Sequence, residues 1–161
     1  MSLFGWLRRS PATALGLRRA TSVQMRARTL HGAESLGRQY GVAVVGESHY
    51  ADSLWQVVGA PPTWDEDTAS DAVEFECTAI LVRDPDNQFD RNAVRVYVGG
   101  LQVGHLSRED ALRYRAPLDR LSRSGFAGAC DAIIRGGFSL NDGSRANLGV
   151  WLDLAEPDRV L

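Results

Sequence analysis

The chain has 161 residues, 44% of them hydrophobic and 24% charged, with a formal net charge of -2 at neutral pH. That is room for one ordinary folded domain plus an arm, and no apolar run approaches the length of a membrane span. Met1 to Tyr40 carries seven Arg against Glu34 alone, whereas Gly41 to Leu161 carries eleven Arg against nineteen acids, so the folded part is acidic and poorly suited to non-specific duplex binding, which depends on neutralising many phosphates.

Residues 1–38 read as a disordered, arginine-rich arm. Its first residues, Leu3, Phe4, Trp6 and Leu7, form a short apolar end suited to touching a protein partner or a membrane surface, and its arginines suit sequence-independent contact with nucleic acid. In a eukaryote the same composition reads as an organelle transit peptide. All eighteen cations of the chain are arginine, however, a usage that fits a GC-rich bacterial genome.

Val42 to Val45 is a buried strand closed by Gly46, and Ser48 is placed to cap a short helix through Leu54, Trp55, Val57 and Val58 that ends at Gly59, with Pro61 and Pro62 beyond. Thr63 to Ala72 is an acidic loop. From Val73 a long strand alternates at first and then turns fully apolar as it enters the core. Ala93 to Val98 and Leu101 to Leu106 form a hairpin around Gly99-Gly100, the pair that a primed turn demands. Ser107 then caps a helix with Glu109 and Asp110 in its first turn; Ala111, Tyr114, Leu118 and Leu121 recur at helical spacing on its inner face. Arg113, Arg120 and Arg123 fall outside, either solvated or facing a phosphate backbone. Pro117 should bend or divide this helix, and Gly125 ends it. Ala127 to Arg135 and Asn147 to Leu154 are two more strands, joined by a loop holding Gly136, Gly137, Asn141, Asp142 and Gly143. The fold class is mainly β with two helices, and five or six strands close most economically as a small barrel, because closure removes sheet edges.

No enzyme motif emerges. His31, His49 and His105 are scattered, no Ser sits in a nucleophile elbow, and no P-loop or H-E-x-x-H is present. Cys77 and Cys130 have no ligand spacing and read as a reduced, buried pair in a cytoplasmic protein. D-P-D-N-Q-F-D begins like a calcium loop, but its sixth position lacks Gly and its twelfth is Arg95, so the sharp turn and the bidentate carboxylate are both missing. No cofactor or metal is expected. A metal-dependent hydrolase built on Asp84, Asp86 and Asp90 is the weakest alternative. What does stand out is Arg83 to Val98, R-D-P-D-N-Q-F-D-R-N-A-V-R-V-Y-V, where Phe89 sits among Asp84, Asp86, Asn87 and Asp90. Asp, Asn and Pro fix turns, but an aromatic ring among them forfeits burial unless something stacks on it.

Three blocks, V-V-G-E-S-H-Y (Val44 to Tyr50), D-P-D-N-Q-F-D-R-N-A-V (Asp84 to Val94) and V-G-H-L-S-R-E (Val103 to Glu109), in this order resemble those of a HIRAN domain over the span from Gly41 to Leu154. The resemblance implies an OB-like barrel over residues 39–156, followed by a tail, 157–161, and a non-enzymatic module that binds the 3′ end of single-stranded DNA in DNA repair or processing. Hydrolase and zinc functions of larger HIRAN proteins belong to separate fused domains. By residue, the resemblance places Asn87, Phe89 and Asp90 around the terminal nucleotide, with Phe89 as stacking face and the two polar groups as acceptors for the free 3′-hydroxyl or a base edge. It places His105 and Arg108 near the phosphates, His49 at an aromatic stacking position and Ser48 at a basic one, with Tyr50 beside them. Two departures weaken the expected affinity: Ser48 brings no charge where DNA-binding relatives have an arginine, and Phe89 replaces a tyrosine. The competing reading of the same cleft is a module that recognises a protein or small ligand, with the basic arm as attachment point.

Overall fold

The computed structural model describes residues 28–29, 39–59, 72–138 and 140–159. Most of the basic arm and of the acidic Thr63 to Ala72 loop therefore lie outside the described residues. The strands are β1 (Arg28–Thr29), β2 (Val42–Val45), β3 (Val73–Arg83), β4 (Val94–Val98), β5 (Leu101–Leu106), β6 (Gly128–Gly136) and β7 (Leu148–Asp153), and the helices are α1 (Ala51–Val58) and α2 (Arg108–Arg123). Strands β2 to β7 close a six-stranded antiparallel barrel: β2 pairs with β5 and β7, β3 with β4 and β6, β4 with β5, and β6 with β7. The pair β6–β7 begins only at Asp131 opposite Asp153, and β1 adds in parallel at Gly128 and Ala129, just before that point.

Alternation within the strands sorts residues between the two faces of the barrel wall. Val94 and Val96 on β4, Val103 on β5, Ala79 and Leu81 on β3, Ala132 and Ile134 on β6, and Val150 and Leu152 on β7 fill the interior, together with Leu54 of α1 and Ala111, Tyr114, Leu118 and Leu121 of α2. Cys77 packs against this core and Cys130 lies within it, both as free thiols. Burial pushes the Cys77 thiol up to about 11 and the Cys130 thiol up as well, with Asp131 adding to both shifts, so neither is a ready nucleophile.

The β4–β5 hairpin turns on Gly99 and Gly100 at φ 59° and 83°, the positive pair of a primed turn. Ser107 caps α2: its Oγ accepts from the Asp110 N–H at 3.1 Å and donates to the Asp110 carboxylate at 2.7 Å. Gly125 ends the helix with Phe126 N–H bonded to Leu121 O and Gly125 N–H to Ser122 O. Two expectations need correction. Pro117 does not divide α2, which runs unbroken to Arg123; the proline removes one N–H, but its ring is buried with the inner face, whose packing holds the helix together. Ser48 caps no helix either. Gly46, at φ 81°, opens a 3-10 turn over Glu47–Tyr50, so the α-helix starts only at Ala51 with Tyr50 in the cap position.

The approach of β5 to β2 depends on a missing side chain. At Gly104 a Cβ would stand 2.5 Å from Val44 Cγ1 and 2.7 Å from the Val45 carbonyl oxygen, so only glycine lets β5 approach β2. Gly104→Ala is expected to cost ~1–3 kcal/mol through overpacking, and Ser107→Ala about 1 kcal/mol through the lost cap. Denaturant unfolding of both variants checks the two values, and Gly104→Ala should be the more harmful.

Candidate nucleic-acid interface

The loop between β3 and β4 is held by its own polar groups. Asn87 Oδ1 accepts from the backbone N–H of Phe89 at 3.0 Å and of Asp90 at 3.1 Å, and Asn87 Nδ2 donates to Asp84 Oδ2 at 3.1 Å. Asp90 Oδ1 accepts from Asn92 N–H at 2.8 Å, and Asp84 N–H donates to Ala93 O at 2.9 Å. Two arginines clasp this loop from its base. Arg95 donates from Nε to the buried Asp84 Oδ2 at 2.8 Å, and its Nη2 forms an ion pair with the same oxygen at 2.8 Å. Arg83 donates from Nη1 to Asn92 O at 2.6 Å and from Nε to Asp119 of α2 at 2.9 Å, tying loop and helix together.

Braced by these bonds, the loop presents Phe89 at 89% exposure. Asn87 spends both acceptor positions of Oδ1 inside the loop and so shapes it from within. Asp90 keeps Oδ2 without a hydrogen-bond partner among the described residues.

The adjoining outer face of the barrel carries the second half of the site. Arg95 of β4 lies opposite His105 of β5, and His105 lies opposite Val45 of β2. The 3-10 turn brings Tyr50 over this face, its ring centroid 6.1 Å from that of His105 at a 55° tilt. Gln102 Nε2 donates to Tyr50 Oη at 2.8 Å and lies 3.3 Å from His105 Nε2. A bulge in the β4–β5 ladder makes this possible: Val96 pairs with Gly104 and Tyr97 with Gln102, so Val103 is the extra residue and both Gln102 and His105 face outward.

Of the eight residues expected here, Tyr50 and His105 are in contact, and Asn87, Phe89 and Asp90 share the loop that Arg95 joins to His105's neighbourhood. Ser48 and His49 are exposed on the turn, and Arg108 is exposed at the start of α2; none of their side chains is tied to another described residue. Arg95 and Gln102 were not expected. The alternation V-R-V-Y-V offers Arg95 and Tyr97 as outward residues, whereas strict alternation through β5 puts Gln102 on the wrong face. Among the described residues no group of three His, Cys, Asp or Glu side chains could hold a metal ion, and no helix is long and apolar enough to cross a membrane.

Burial lowers the pKa of His105 from its ordinary 6.5, and the Arg95 guanidinium lowers it further against a smaller opposing pull from Asp84. Burial raises that of Tyr50. Because folding favours the neutral ring, His105 contributes stability that is complete above the ordinary value and lost as pH falls through the folded one. An NMR titration of His105 should give a midpoint below 6.5 that rises in Arg95→Gln; a midpoint at or above 6.5 in the unaltered protein contradicts this environment.

The sequence pattern of the HIRAN domain matches residues 39–125, which contain β2 to β5 and both helices. No curated protein sequence matches the chain. Among solved structures, a crystal structure of a protein from Lactobacillus plantarum is 18% identical, with a TM-score of 0.35, covering 69% of this chain and 88% of that one. The crystal structure of the HIRAN domain of human HLTF is 22% identical, with a TM-score of 0.24, covering 50% of this chain and 74% of that one. With the family pattern matched over more than half of its length, the chain belongs to the HIRAN domain family.

Proposed function

We propose that this protein is a non-enzymatic module that binds single-stranded DNA at its 3′ end, in the cytoplasm, in the service of DNA repair or processing. Family membership supports the broader class, DNA binding. The observation that carries the finer reading is Phe89, an aromatic ring 89% exposed on a loop held by its own polar groups. With its backbone already held, an exposed ring has only its side-chain torsions to order when a base stacks on it, and stacking is indifferent to base identity.

In this reading Phe89 stacks on the last base and Asp90 Oδ2 accepts from the free 3′-hydroxyl. An internal nucleotide has that oxygen esterified; it cannot donate and sets a phosphate against the carboxylate, which gives preference for an end. Tyr50, Gln102 and His105 line the adjoining face, Arg108 takes a phosphate from the start of α2, and His49 and Ser48 border the strand from the turn. Asn87 acts by holding the loop. The binding unit is residues 39–156, with the basic arm adding salt-sensitive affinity or a protein contact.

A module for a protein or small ligand is the second reading. Its support is the excess of nineteen acids over eleven Arg from Gly41 onward, together with the matching of Arg95 by Asp84.

Fluorescence anisotropy at fixed salt, with short labelled oligonucleotides ending in a 3′-hydroxyl or a 3′-phosphate, separates the two. The protein should prefer the 3′-hydroxyl, and Phe89→Ala should weaken binding about tenfold or more, as expected for one lost stacked base, without lowering thermal stability. Equal binding of both ends, or an unaffected Phe89→Ala variant, contradicts end recognition; binding that tracks the arm alone assigns it to electrostatics.

A further inference from the structure

The barrel gives the amino-terminal arm a direction. Strand β7 pairs with β6 only as far as Asp131 opposite Asp153, after which its continuation is drawn toward α2, where the Tyr114 hydroxyl donates to Ala155 O at 2.9 Å. The edge of β6 that β7 leaves is covered by β1, with Arg28 opposite Gly128 and Thr29 opposite Ala129 in parallel register. The chain is fastened again at Tyr40, whose hydroxyl donates to Glu76 Oε1 at 3.2 Å and whose ring lies 5.9 Å from the Arg135 guanidinium. Glu76 stands opposite Ile133, so from Thr29 to Tyr40 the chain advances along β6 in that strand's own direction. Residues ahead of Arg28 therefore leave β1 at the end of the barrel where β6 begins. The candidate site opens at this same end: Gly128 lies opposite Leu81, the β3–β4 loop starts just beyond at Asp84, and Arg83 ties that loop to Asp119 of α2.

We propose that β1 is a guide strand: by adding to β6 it delivers the arm to the loop end of the barrel, where Arg26, Arg19 and Arg18 take backbone phosphates of the strand whose last base stacks on Phe89. These are the cations next ahead of β1 in the chain, and from Gly41 onward the barrel sets only eleven Arg against nineteen acids. An extended chain from Arg28 back to Arg18 reaches on the order of 30 Å at ~3.3 Å per residue, whereas β1 and β3, separated by β6, stand about 10 Å apart. The proposal rests on the single-strand reading of the site given above. It differs from a loose electrostatic tail in depending on strand pairing as well as on charge.

Two variants keep every charge and set a proline at successive positions of β1: Thr29→Pro, and Arg28→Pro combined with Thr29→Arg. Successive N–H groups of a strand face opposite sides, so one of the two removes a donor toward β6. With a 3′-hydroxyl oligonucleotide and the full chain, Arg18→Gln, Arg19→Gln and Arg26→Gln together should make the salt slope shallower by about 2, three phosphates at ~0.7 each for a single strand. At least one proline variant should lose most of the same slope with all seven arginines of the arm present. Without oligonucleotide, a nitroxide on Ser22→Cys should broaden the amides of the β3–β4 loop more than those of Gly99 and Gly100 at the opposite end, and that proline variant should lose the bias. Cys77 and Cys130, held by burial above the usual thiol range, stay unlabelled at neutral pH. Proline variants that both bind like the unaltered chain, or a nitroxide that broadens both ends alike, overturn the proposal and leave the site reading in place. An unaltered chain that binds no oligonucleotide while the nitroxide keeps its bias overturns the site reading, and the phosphate role of the arm with it.

Discussion

One carboxylate oxygen, Asp84 Oδ2, holds the two halves of the site together. It accepts from Arg95 Nε, with Nη2 in ion-pair contact, on the barrel wall and from Asn87 Nδ2 in the loop. Asp84 is buried and Arg95 mostly so, which makes the pair costly to break from either side, because removal of one partner strands the other without compensation. Arg83 repeats the arrangement at the far end of the loop, where it holds the carbonyls of Asn92 and Ala93 and anchors itself on Asp119 of α2. A loop fastened at both ends to sheet and helix can leave a phenylalanine in water without collapsing over it.

That arrangement reverses the usual logic of a surface loop. Exposed aromatic rings normally fold back against the nearest apolar surface, and polar turn residues normally face water. Here the polar residues turn inward to one another and the ring is left outside. The fold forgoes the burial of Phe89 and gains a stacking face carried on a backbone that the loop's own bonds hold. The barrel contributes by closure, since a ring of six paired strands leaves no open edge, and its outer face carries Arg95, Gln102 and His105, with Tyr50 laid over them from the 3-10 turn.

Much of this was legible from local patterns. Gly99-Gly100 fixed the hairpin, Ser107 and Gly125 bounded α2, and the apolar pattern from Val73 identified the long β3 strand of the barrel wall, because each of these depends on the preferences of a few adjacent residues. What escaped depends on pairing between strands. Gln102 joins His105 only because Val103 bulges, and a bulge is set by register, which no single strand encodes. Arg95 was visible as an outward residue, but its value lies in Asp84, eleven positions away. The bonds by which Asn87 shapes the loop could not be read from its residue type, because they depend on where the Phe89 and Asp90 N–H groups fall. Pro117 and Ser48 misled for a related reason, since tertiary packing and a preceding 3-10 turn overrode a local preference.

The account stands or falls on whether loop and wall meet the strand as one surface. Amide and side-chain chemical-shift mapping of the full chain, titrated with a short single-stranded oligonucleotide bearing a free 3′-hydroxyl, tests this most directly. Coincident saturating shifts at Phe89 and Asp90 in the loop and at Tyr50, Gln102 and His105 on the wall, with a single affinity, are the predicted result. Shifts confined to the basic arm or to the outer arginines of α2, with loop and wall unmoved, would contradict it.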